Sequence, residues 1–178
     1  MNPAEIVSFW REAGSDKWFD KNEEFDGLVR SKFLAIHEAA ARGELADFEE
    51  SAEGLLALVI LLDQFPRNMF RGSPHAFATD PLARAIANRA IALGIDEAID
   101  PAMRPFFYLP FMHSEAAADQ DRCVVLYEAF GDEALLQYAT THRDVIAQFG
   151  RFPHRNRVLG RETTAAEQAF LDRGGFAG

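Results

Sequence analysis

Eight consecutive apolar residues, Leu55 to Leu62, stand in a chain whose other apolar positions recur mainly three and four residues apart. With Ser51 placed to cap it, the run reads as a helix reaching about Gln64. At about 100° per residue its apolar side chains go all the way round the axis. A helix with so little polar face must be covered on every side, so this element is expected to be central and buried. The rest of the chain then has to supply the cover.

That cover is also expected to be helical, because no stretch alternates like a half-buried strand. Asn2-Pro3 opens a first helix with Ile6, Phe9, Trp10 and Ala13 on one face. A longer helix from Asn22 to Arg42 aligns Phe25, Val29, Phe33, Ile36 and Ala40. Asp80-Pro81 starts another with Leu82, Ile86, Ala90 and Leu93 inward and Gly94 as its stop. Residues 101–112 are aromatic and helical in pattern, but Pro105 and Pro110 must break them. Helices follow over 115–130, ending at Gly131, and from an Asp132 cap to Phe149. Thr164 and Glu167 form a capping box for a short last helix. The expectation is an all-α single domain over residues 1–178, built of antiparallel helix hairpins, with a loose tail at 173–178.

A chain of 178 residues can bury a core without staples, and one cysteine, Cys123, excludes an internal disulfide and a cysteine-cluster zinc site. The N-terminus carries no basic region followed by an apolar core, and the apolar run is far shorter than a membrane span. These features predict a reduced, cytoplasmic protein that does not enter membranes. The net charge of −10 argues against nucleic acid as a partner. No metal or cofactor is expected, because metal-spaced histidines, a glycine-rich phosphate loop and a nucleophile elbow are all missing from the sequence.

The charge is segregated. Residues 65–78, 101–114 and 145–161 hold seven Arg and eight of the sixteen Phe but no Lys, Asp or Glu. Within them Phe65-Pro66-Arg67-Asn68 is echoed by Phe152-Pro153-His154-Arg155-Asn156. A residue before proline disfavours the α region, so Phe65 and Phe152 are expected near helix ends. Arg and Asn just past a helix end have a plain structural role there. That role leaves Arg151, Arg157 and Arg161 unexplained.

The long blocks Leu62–Gly72, Tyr108–Glu115 with Asp119-Gln120, and Phe149–Asn156 with Leu159-Gly160-Arg161 resemble a bacterial family called domain of unknown function 924. The likeness covers nearly the whole chain. It implies an all-helical fold similar to tetratricopeptide repeats, a right-handed superhelical bundle whose concave face gathers the three segments. It carries over no catalytic residue.

Three readings follow. In the first, the protein is a binding module. Asp63, Arg67, Asn68, Arg71, His113, Glu115, Arg151, His154, Arg155 and Asn156 then form or border an aromatic-lined site for an anionic small molecule or acidic peptide end. In the second, His113 or His154 works with Asp63 or Glu115 as an acid–base pair. In the third, the arginines lock helix ends through internal ion pairs with Asp63, Asp80, Glu115 or Asp119, and no ligand is involved.

Overall fold

The chain, seen here in a computed structural model that describes residues 1–177, has only helical regular elements among those residues. They fall into two compact units, Met1–Pro110 and the chain from Phe111 onward. None of the described helices is long and apolar enough to cross a membrane.

In the first unit, α1 (Pro3–Ala13) starts on Asn2. Its side chain accepts from the Glu5 amide at 3.0 Å, while Glu5 accepts from the Asn2 amide at 2.8 Å. Helix α2 (Glu23–Ala41) is capped by Asn22 in the same sense, without the reciprocal carboxylate. Helix α3 begins after Ser51 as Ala52–Val59 and widens into a π turn at Ile60–Gln64. It resumes as Phe65–Met69. Every residue from Gly54 to Pro66 is buried. Helix α1 and α4 (Asp80–Ala92) pack on the first part of α3, and α2 packs on its π turn and continuation. Phe33 lies 4.4 Å from Phe65 and Trp10 lies 5.4 Å from it, centroid to centroid, so aromatic rings fill the space beside the resumed helix.

Phe65 does not end its helix, as the following proline suggested; its φ and ψ are −60° and −37°. The π turn explains why. Phe65 gives its N–H to the Ile60 carbonyl, five residues back. Pro66 has no N–H for the carbonyls four and five residues before it, Leu62 and Leu61. Thr79 Oγ1 donates to Leu62 O at 2.6 Å, and His37 Nδ1 donates to Leu61 O at 2.8 Å. The two orphaned carbonyls are satisfied by side chains from α2 and from the turn before α4, so the proline is absorbed within a continuous buried helix.

Helix α4 also turns a different face inward from the one its large residues suggested. Leu82 and Leu93 are 43% and 63% exposed, whereas Ala83, Ala87 and Ala90 are buried. The first part of α3 already presents bulky Leu and Val side chains, so a small face lets α4 come close. At the broken 101–112 segment, a 3₁₀ turn at Arg104–Phe107 precedes a short helix at Leu109–Met112, as the two prolines require.

The second unit centres on the hairpin of α5 (Ala117–Phe130) and α6 (Glu133–Phe149), packed along their lengths. Helix α7 (Ala165–Asp172) has the expected Thr164–Glu167 capping box. Val145, Ile146 and Phe152 form a core on which Phe149, Phe170 and Phe176 pack. Residues 173–177, expected to be loose, therefore include an anchored aromatic ring at Phe176; residue 178 lies outside the described residues.

Candidate functional site

The π turn and the resumed end of α3 place the first set of candidates. Asp63 is fully buried and accepts from Gln64 Nε2 at 2.5 Å. Arg67, one turn later, lies 3.6 Å from the Asp63 carboxylate and grips Asp80 with both terminal nitrogens at 2.9 Å. It also donates to the carbonyls of Asp63 and Ala76. Arg67 thus ties the end of α3 to the start of α4, and its fork is filled.

Asn68 and Arg71 point the other way, to α2. Asp26 accepts from Asn68 Nδ2 at 2.8 Å and from Arg71 Nε and Nη2 at 2.7 and 3.0 Å. Burial alone would raise the Asp26 carboxyl, but the bonds from Arg71 and Asn68 and the Arg71 charge outweigh it and hold it below its ordinary value. Arg30, one turn along α2 from Asp26, donates through Nη1 to Met69 O at 2.8 Å and lies over the Phe70 ring. Lys21, Arg30, Asn68, Arg71 and Met69 line an open pocket of about 460 Å³ together with Glu23 and Asp26, and Glu23 lies 3.6 Å from Lys21 Nζ. Arg71 keeps its Nη1 outside the Asp26 clasp.

The remaining candidates gather in the second unit. Glu115 accepts from Arg161 at 2.6 and 3.0 Å and from the Phe152 amide at 2.8 Å. Burial pushes its carboxyl up, but these bonds and the charges of Arg161 and Arg155 bring it below the ordinary value. Glu115 is therefore an ionised anchor at neutral pH, and a poor proton acceptor. Arg151 holds Glu167 at 2.6 and 2.9 Å and the Glu162 carbonyl at 2.8 Å. The Arg151 bonds draw the Glu167 carboxyl down to about 2 against some burial, with help from the Thr164 amide and hydroxyl.

Asn156 is fully buried and donates to Glu167, while Arg161 Nε donates back to Asn156 Oδ1. Arg155 donates to the His113 carbonyl at 2.9 Å and lies 4.4 Å over the Phe152 ring. His154 packs on Phe152 and Phe176, and its buried Nδ1 has no hydrogen-bond partner. Burial first, then the Arg155 and Arg161 charges, push the His154 imidazole down to about 4 despite Glu115.

The ten candidates thus divide. Asp63, Arg67, Asn68 and Arg71 lie in the first unit. His113, Glu115, Arg151, His154, Arg155 and Asn156 are brought together in the second. Among the described residues no group of three His, Cys, Asp or Glu side chains is arranged to hold a metal ion.

A family model described as "Bacterial protein of unknown function (DUF924)" matches residues 6–175. The chain belongs to the DUF924 family. It is similar to a solved structure, that of ATU0120, a protein of unknown function from Agrobacterium tumefaciens. The two share 52% identity over 97% of each chain, with a TM-score of 0.93. No curated protein matches it.

In this DUF924 chain the blocks that stood out in the sequence are held by internal hydrogen bonds. Gln120 Nε2 gathers the carbonyls of Met112 and Ser114 at 2.7 and 2.6 Å, and Ser114 Oγ donates to Asp119 at 2.6 Å. The pocket residues Lys21, Asp26 and Arg30 escaped the sequence reading. The available signal was the Asp26–Arg30 spacing of four on α2, which puts both on one face. Glu167 was legible as a cap, and its second task as the Arg151 partner was not.

Proposed function

We propose that this DUF924 protein is a binding module. Its ligand-contacting pocket is in the first unit and uses Arg30, Arg71 and Lys21, with Asn68 holding Asp26 in place. The ligand is the anionic group of a small molecule or an acidic peptide end. The observation that carries this reading is that Arg30 lines one open pocket of about 460 Å³ together with Arg71, which is clasped by Asp26, and Lys21, which lies 3.6 Å from Glu23. Arg30 brings no carboxylate partner of its own among the described residues; its contacts are the Met69 carbonyl and the Phe70 ring. Guanidinium groups anchored along one edge present the other in a set orientation, which suits carboxylate or phosphate. Arg67 and Arg151 are taken up by Asp80 and Glu167, so they serve as locks between elements.

The test is a thermal-shift and calorimetric titration with inorganic phosphate and with succinate, at matched ionic strength. A ligand at ten times its Kd adds about 1.4 kcal/mol to the folded state. That corresponds to a rise of about 3–6 °C in a chain of this size. Arg30→Met and Arg71→Met should lose the shift, and Arg151→Met should keep it. Equal shifts in all variants, or none in the wild type with either anion, would discard the reading.

A further inference from the structure

The C-terminal end of the second unit is held by a construction too specific for a trailing tail. After α7, Gly174 takes φ +76°, giving its N–H to Leu171 O, and Gly175 gives its N–H to Phe170 O. Gly175 then lies flat against the Phe170 ring; a Cβ there would sit 2.6 Å from the ring carbons. Gly174 thus takes the positive φ of a tight reversal, and a side chain at 175 would force the Phe170 ring to shift. The reversal delivers Phe176 onto three rings. Its centroid lies 4.3 Å from His142, 5.4 Å from His154 and 6.2 Å from Phe152.

What lies beneath is unusual for an aromatic contact. His142 is buried, and its Nδ1 donates to the Tyr138 carbonyl at 2.8 Å. His154 Nδ1 is buried with no hydrogen-bond partner, so a proton placed there would have neither water nor an acceptor. The charged and titratable groups around the two imidazoles are mainly cationic. His113, Arg155 and His154 act on His142; Arg155 and Arg161 act on His154. The acid in reach of His154 is Glu115, and Arg161 already holds both of its oxygens.

We propose that Gly174-Gly175-Phe176 is an aromatic strap that closes over neutral His142 and His154. It opens when they take up protons, uncovering an imidazole–guanidinium surface that includes Arg155. The closed form buries His142 and keeps water from His154 Nδ1, where an added proton would stand without an acceptor beside arginines. The open form hydrates both rings. Burial accordingly pushes both histidines down, each to about 4.

The sign follows from linkage. A folded-state histidine held below the ordinary value near 6.5 favours the closed strap above that pH, and the preference is lost as pH falls from 6.5 toward 4. At pH 5 the open-to-closed ratio should rise on the order of thirty-fold for each histidine relative to high pH. With two sites the transition should be steeper than a one-proton titration.

Histidine NMR titration of the full chain tests this. In the wild type, the imidazole signals of His142 and His154 should titrate well below pH 6. Contacts between the Phe176 ring and both imidazoles should vanish over the same range, with the helical circular dichroism unchanged. In Phe176→Ala, and in a chain ending at Arg173, both histidines should titrate higher by about one pH unit or more. The proposal fails if either variant, shown to be folded, leaves both titrations where they were. It also fails if the Phe176 contacts persist once both imidazoles are charged.

Discussion

Replacing Arg67 by Met tests whether the arginine-rich turn after the π turn is a structural lock. The substitution keeps length and apolar bulk but removes the two 2.9 Å bonds to Asp80, the 3.6 Å pair with Asp63, and the bonds to the Asp63 and Ala76 carbonyls. Asp80 is 6% exposed, so its carboxylate loses the bidentate Arg67 clasp in low dielectric. Stranding one partner of a buried pair costs about 3–5 kcal/mol. Across a chain of this length that lowers Tm on the order of 10 °C. Urea unfolding followed by tryptophan fluorescence reads the relevant unit, since Trp10 and Trp18 both belong to it. A cycle with Asp80→Asn separates the pair from general damage. The double variant should be more stable than the sum of the two losses predicts, by about 1 kcal/mol or more. If Arg67→Met costs less than about 1 kcal/mol, as an exposed pair would, or if the cycle is additive, the lock does not exist.

Two further expectations concern the cap of α7 and the entry to α3. The Glu167 carboxyl is held at about 2 in the folded chain against an ordinary value of 4.5. Its contribution is therefore complete above pH 4.5 and disappears as pH falls toward 2. Glu167→Gln should lower Tm at pH 7, with the deficit shrinking below pH 4.5 and closing near pH 2; a deficit independent of pH would contradict the pairing with Arg151. Gly54→Ala should destabilise by about 1–3 kcal/mol in chemical denaturation, although alanine is the better helix former. A Cβ at position 54 would stand 1.9 Å from the Phe48 carbonyl oxygen. An unchanged or raised midpoint would show that the 3₁₀ turn at Ala46–Glu50 yields without cost.

The helices were legible because their signals are local. Asn2, Asn22, Ser51, Asp132 and Thr164 each accept from the amide three residues into the helix they precede. The apolar run Leu55–Leu62 required burial on all sides and has it. Where apolar size and helix packing competed, the pattern held only in part: Ala90 is buried as expected, but Ala83 and Ala87 share its face while Leu82 and Leu93, just past the end of α4, are exposed. The continuation through Phe65-Pro66 was invisible for a related reason. It depends on His37 and Thr79, which are 24 and 17 residues from the carbonyls they satisfy.

The candidate site shows the same division more sharply. The sequence by itself determined an all-α chain, its caps, its central helix, and arginine-rich segments that contain no acid. Only the tertiary structure decided what those arginines do. Asp26, Asp80, Glu115 and Glu167 come to Arg71, Arg67, Arg161 and Arg151 from 13 to 46 residues away. Charge pairing acts over a few ångströms of space, and distance along the chain does not enter it. Segments that read as cationic are mostly neutralised once folded. Arg30, a guanidinium without a carboxylate partner among the described residues, faces a pocket whose lining, from Lys21 to Gly72, no single stretch of the sequence contains.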